Sequence, residues 1–143
     1  MHSPTTLAEL RQFAKIHNAT KYPNVPTSAL PVTTFTDKTA NGLTNAIIYD
    51  IVNVRGGAAY RINNGATYDR AKNIYRAGVT KRGVPDIIGV LGGRFIGIEV
   101  KIGADRQSSH QREVEAEINA AGGVYFIAKT YEEYVGSLTA SLR

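Results

Sequence analysis

The chain has 143 residues, 43% hydrophobic and 20% charged, the balance of one globular domain able to close a core without covalent staples. It contains no cysteine, which excludes a disulfide framework and any thiolate metal site. The net charge is +5, and ten Lys/Arg face only four acids between residues 55 and 106, so the excess sits in one region and suits a polyanion such as nucleic acid. No apolar run approaches the ~20 residues of a membrane span. The opening MHSPTTLAEL lacks the apolar stretch of a signal peptide. These features predict an intracellular, cytoplasmic protein with no membrane partner.

In chain order, residues 1–38 are expected to form an N-terminal helical and extended appendage. Ser3-Pro4 resembles a helix cap followed by proline at the first helical position. Leu7, Leu10, Phe13 and Ala14, with Ile16 as a further candidate, give a short apolar stripe that should fail near Asn18. Pro23, Pro26 and Pro31 then enforce an extended segment, which is free to pack along the domain, reach a second subunit or lie loose. Residues 39–143 carry the main domain. Leu43, Ile47, Ile51 and Val54 recur at helical spacing as far as a Gly56-Gly57 stop. AAYRIN reads as a first strand with a turn at Asn64-Gly65. A basic hairpin or loop, about residues 66–84, follows. Its Arg70, Lys72, Arg76, Lys81 and Arg82 suit phosphate contacts that position a duplex, and Tyr68 and Tyr75 are candidates for base stacking.

Residues 83–101, GVPDIIGVLGGRFIGIEVK, read as two buried strands joined at Gly92-Gly93. Alternation places Ile96, Ile98 and Val100 on one face and Glu99 and Lys101 on the other. Closing the hairpin brings Asp86, at the start of the first strand, opposite the Glu99 and Lys101 end of the second. Two carboxylates are the usual protein share of a Mg²⁺ site, which keeps its other positions for water and phosphate. Such an ion activates water and neutralises phosphoryl charge. A neighbouring lysine can orient the attacking water and offset charge in the transition state.

A polar IGADRQ loop carrying Arg106 leads into the helix SSHQREVEAEINAAGG. Val114, Ile118 and Ala121 mark its inward stripe, and Gln111 lies on the same side. Ser108-x-x-Gln111 also fits a capping box, so Gln111 has two compatible roles. VYFIA reads as a strand covered on both faces. Thr130-x-x-Glu133 suggests a second capping box, opening a last helix with Val135 and Leu138 inward.

Pro85-Asp86, twelve residues and then Glu99-Val100-Lys101 resemble the motif of the PD-(D/E)XK nucleases. GVPDII, EVKIGADRQSSHQ and AAGGVYFIA are similar to the VRR-NUC branch of that superfamily. The likeness runs from about Asn41 to Glu133 and is strongest from Gly83 to Ala128. It implies an α/β fold with a restriction-endonuclease-like αβββαβ core, a mixed sheet flanked by helices. It further implies a Mg²⁺-dependent DNA endonuclease, with Mn²⁺ as a substitute metal. Asp86, Glu99 and the Val100 carbonyl would hold the metal, Lys101 would position water, and Gln111 would assist. An R-I-N stretch in such sequences makes Arg61 and Asn63 candidate DNA contacts. Many relatives carry an acid on the first helix; here Asn45 stands near that place and Asp50 one to two turns on. The same pattern fits small nucleases of phage and mobile-element origin. Two alternatives remain open at this point. One is a structure-selective junction or flap nuclease, which as a resolvase would need a symmetric homodimer. The other is a DNA-binding module with weak or lost catalysis.

Overall fold

The computed structural model describes residues 2–62, 67–76 and 81–142. Four strands, β1 (Ala58–Arg61), β4 (Ile87–Leu91), β5 (Arg94–Val100) and β6 (Val124–Ala128), form one mixed sheet in the order β1-β4-β5-β6. Neighbours are antiparallel except β5 and β6, which are parallel. A second sheet pairs β2 (Thr67–Asp69) with β3 (Ile74–Arg76). Its connecting turn is tied by the Asp69 carboxylate, which accepts from the amides of Ala71 and Lys72. The helices are α1 (Leu7–Lys21), α2 (Ala40–Tyr49), α3 (Ser109–Ala120) and α4 (Tyr131–Ser141). The chain is therefore an α/β protein. No helix among the described residues is long and apolar enough to cross a membrane.

Register explains the layers. Ala59 pairs with Gly89, Gly89 with Ile96 and Ile96 with Val124, so these residues share one face. Ile87, Ile98, Val100 and Ala128 join them. This face meets Leu43, Ala46 and Ile47 of α2 and Tyr134, Val135 and Leu138 of α4 in the main core. The opposite face carries Gly97, Glu99 and Tyr125 and receives α3, whose Ile118 comes close to Gly97 and Gly123. At the far end of that face Tyr60, Val90 and Phe95 stay exposed. The β4–β5 hairpin turns through Gly92 and Gly93 at φ 59° and 78°, the left-handed pair that a two-residue hairpin requires.

The N-terminal segment packs along the domain. Leu7, Leu10, Ala14 and Phe35 belong to the main core. The cap of α1 is Thr6 rather than Ser3, in a reciprocal capping box with Glu9. Starting there directs Leu7, Leu10 and Ala14 inward and leaves Ile16 half exposed. The helix also continues past Asn18 to Lys21. α2 begins at Ala40, and its helical run ends in a π-helical turn, Asp50–Val54, before Gly56. Thr130 caps α4 through the Glu133 amide alone, half of the box expected there.

Asp50 corrects an expectation. It is neither a solvated helix residue nor a partner of the hairpin carboxylates: its side chain is 0% exposed and fully engaged. Arg55 Nε lies 2.5 Å from Oδ2, the Tyr134 hydroxyl 2.6 Å from Oδ2 and the Tyr131 hydroxyl 3.0 Å from Oδ1. The Tyr131 hydroxyl is also 3.3 Å from the Pro4 carbonyl, so one proton is shared between two acceptors. Burial, and then the Asp50 charge, push both phenols well above their ordinary range. A buried charge is tolerable only when paired and hydrogen-bonded, and this one satisfies that rule with the Arg55 guanidinium and two hydroxyls from α4.

Candidate active site

The carboxylate end of the sheet is built by three local constraints. Gly83, at φ 87°, lies so close to the His110 carbonyl that an added Cβ would stand 2.3 Å away, which fixes the approach of the 81–86 segment to the start of α3. Pro85 then packs over Gly97, where a Cβ would meet its ring at 2.8 Å. Between these two contacts Asp86 is directed at β5. Its Oδ2 accepts from the Val100 amide at 2.9 Å, and its carbonyl accepts from Ile62 at 2.7 Å. Asp86 thus bridges β1 and β5 just before β4 begins.

Glu99 is 4% exposed. Its Oε1 accepts from Gln111 Nε2 at 2.6 Å, and Lys101 Nζ stands 3.6 Å from the same oxygen. Its Oε2 is buried with no hydrogen-bond partner among the described residues. Burial first, and then the Asp86 charge, push the Glu99 carboxyl up to about 7, with Lys101 pulling the other way. Two carboxylates side by side can bond to each other only by sharing a proton. An orphaned buried oxygen next to a second carboxylate is instead the donor chemistry of a hard cation.

Gln111 closes the expected capping box and also reaches the carboxylate site. Its Oε1 accepts from the Ser108 amide at 2.8 Å, closing the capping box, while its Nε2 holds Glu99. One side-chain amide thereby joins the start of α3 to the buried carboxylate.

The remaining sequence-derived candidates divide by position. Arg61 closes β1 opposite Ile87, with NH1 2.7 Å from Asn41 Oδ1 and NH2 2.8 Å from Asn45 Oδ1. Asn45 is therefore engaged with Arg61. Lys81 is paired with Glu117 of α3 at 2.7 Å, in an exposed ion pair that solvent screens. Arg70, Lys72, Arg82 and Arg106 are exposed. Asn63 and the side chains of Tyr68, Tyr75 and Arg76 lie outside the described residues. Among the described residues no group of three or more His, Cys, Asp or Glu side chains could hold a metal, so the acidic site is the Asp86 and Glu99 pair. A groove of about 450 Å³ lies elsewhere, between α1 and residues 27–33, and shares no residue with this end.

The sequence pattern missed Asn41, and Tyr125 beside Glu99. The Tyr125 hydroxyl is buried without a hydrogen-bond partner among the described residues, and burial pushes it up to about 12. Comparison with known families and with curated proteins finds no match for this chain.

Proposed function

We propose that the chain is a metal-dependent DNA endonuclease of the PD-(D/E)XK type, in its VRR-NUC branch, with a restriction-endonuclease-like core. The observation that carries this proposal is the Asp86 and Glu99 pair, with Glu99 Oε2 buried and unpartnered among the described residues while Lys101 stands at Oε1. The strand order β1-β4-β5-β6 between α2 and α3 supports the fold assignment, and the basic excess around the motif supports a polyanionic substrate.

Asp86 and Glu99 fit a Mg²⁺ ion that keeps most of its waters. The Val100 carbonyl is a third donor: Val100 gives its N–H to Asp86, and the N–H and C=O of one strand residue point to the same side. When bound, the ion supplies Lewis acidity and a lowered water pKa. The protein's own groups do the rest. Gln111 fixes Oε1 of Glu99 and so leaves Oε2 directed at the site. Lys101 orients the attacking water and places positive charge where the transition-state phosphate gains negative charge.

Lys101→Ala is expected to lower cleavage of supercoiled plasmid by ~10²–10³-fold, as for loss of one charge-stabilising donor, without loss of fold. Wild-type cleavage by the purified variant would contradict the role. The comparison is run with Mg²⁺, Mn²⁺ and EDTA on plasmid and on a four-way junction, which separates general from structure-selective cutting. A second proposal, a DNA-binding module without catalysis, draws support from the lack of a third carboxylate among the described residues and from the engagement of Asn45 with Arg61. It predicts salt-sensitive binding and no cutting with any divalent metal.

The Glu99 environment also sets a pH dependence. In the unfolded chain the carboxyl titrates near its ordinary 4.5, and in the fold near 7. Between these values the native state holds a proton that the unfolded state has lost, so stability falls as pH rises through the window and then levels off. In EDTA the melting temperature should fall from pH 5 to pH 7.5, and Mg²⁺ should restore more at pH 7.5 than at pH 5. Glu99→Gln should remove both effects; a pH profile identical to wild type would sink the assignment.

A further inference from the structure

We propose that Arg61, oriented by Asn41 and Asn45, is a phosphate-binding subsite at the carboxylate end of the sheet, on its α2 face, and that the two asparagines are positioning residues acting through it. The inference rests on the DNA-nuclease proposal for its ligand, a nucleic-acid phosphodiester.

Arg61 is the last residue of β1, and the next amide, that of Ile62, bonds to the Asp86 carbonyl. The Arg61 backbone is thus anchored one residue from the segment that carries Asp86, while its side chain, in register with Ile87, lies on the α2 face. Asn41 and Asn45 are four apart on α2, hence stacked on one helix face, and each offers a side-chain carbonyl to a different terminal nitrogen of Arg61. The helix itself is held: buried Gly42 packs so tightly on Thr36 that a Cβ would clash at 2.3 Å. Asparagine is a poor helix former, so two of them on one face require a cause other than propensity.

The chemical point is the kind of acceptor. Amide oxygens orient a guanidinium without cancelling its charge, whereas carboxylates would neutralise it. Among the described residues no carboxylate pairs with Arg61, and its side chain is exposed. A guanidinium locked in direction but left with its full charge is prepared for a planar, two-point anion such as a phosphodiester.

The test measures binding of the full chain to a 20-base-pair DNA duplex in EDTA, where no hydrolysis is needed for a readout, across a salt series. Arg61→Ala should weaken binding about tenfold, the loss of one charge-assisted contact, and reduce the salt slope by about one phosphate. Asn41→Asp with Asn45→Asp should reproduce that loss although Arg61 is retained, with no fall in melting temperature. Asn41→Ala with Asn45→Ala should weaken binding severalfold while leaving the salt slope unchanged, because the charge remains and only its orientation is lost. Wild-type affinity and slope in the Asp pair would overturn the proposal; should that pair misfold, wild-type affinity in the Ala pair would do the same. Wild-type duplex binding with these losses but no cleavage in Mg²⁺ would reject the nuclease and keep the subsite. No duplex binding by the wild-type chain would reject both.

Discussion

Asp86→Asn is expected to reduce metal-dependent cleavage by about 10³-fold, since a Lewis-acidic ion is worth several kcal/mol in the transition state and each ~1.36 kcal/mol is a factor of ten. Asparagine is the informative replacement because of the second task of this side chain. Asp86 accepts from the Val100 amide at 2.9 Å, and an asparagine oxygen can keep that bond while removing the charge. The variant should therefore melt close to wild type. Asp86→Ala should lose the same activity and also leave the Val100 amide short of a partner, at a cost of about 1–3 kcal/mol. Calorimetry and a plasmid assay on both variants separate the two tasks. Cleavage near the wild-type rate by purified Asp86→Asn would remove this carboxylate from the site.

The largest effect on stability is expected at a residue outside that site. Asp50→Ala deletes the only carboxylate in contact with Arg55, Tyr131 and Tyr134 among the described residues, leaving a half-buried guanidinium and the buried Tyr134 hydroxyl without their acceptor and the Tyr131 hydroxyl with the Pro4 carbonyl alone. Breaking a buried pair by removing one partner costs about 3–5 kcal/mol. At this chain length each kcal/mol is worth roughly 2–4 °C or somewhat more, so a drop of about 10 °C or greater should appear in a thermal melt. Asp50→Asn should lose less, because one amide oxygen can still accept from a tyrosine. If Asp50→Ala melted like wild type, the network would carry no net stability. Cleavage per folded molecule should be unchanged in both, since Asp50 lies on the far face of the sheet from Glu99.

How far the site could be read from the residues depended on distance along the chain. The hairpin was legible because its signals are local: alternation from Phe95 to Lys101, a Gly-Gly turn and Asp86 preceding an apolar run together put Asp86 and Glu99 at one end. The cap and the inward direction of Gln111 were legible for the same reason, since they follow from its spacing to Ser108 and from its side of α3. Asp50 was not, because its partners come from Tyr131 and Tyr134, more than eighty residues later, and no periodicity on α2 announces them. The start of α1 had two caps to choose from. Ser3-Pro4 and Thr6-x-x-Glu9 are both plausible in isolation, and tertiary burial of Leu7 and Leu10 decides for Thr6. The Arg61 clamp is likewise non-local, joining residues 16 and 20 positions apart. Its sequence trace is slight: two asparagines at helical spacing where stronger helix formers would be expected.

The pairing of Ile87 with Ile98, and of each residue inward to Leu91 with Arg94, has an evolutionary consequence. Side chains alternate along a strand, so removing one residue between Phe95 and Ile98 would send Glu99 and Lys101 to the α2 and α4 face and Val100 to the α3 face. A change of length at Gly92-Gly93 would leave that parity intact. Among descendants of this chain, insertions should therefore accumulate at the hairpin tip and be purged from the seven residues of β5, whatever their side chains.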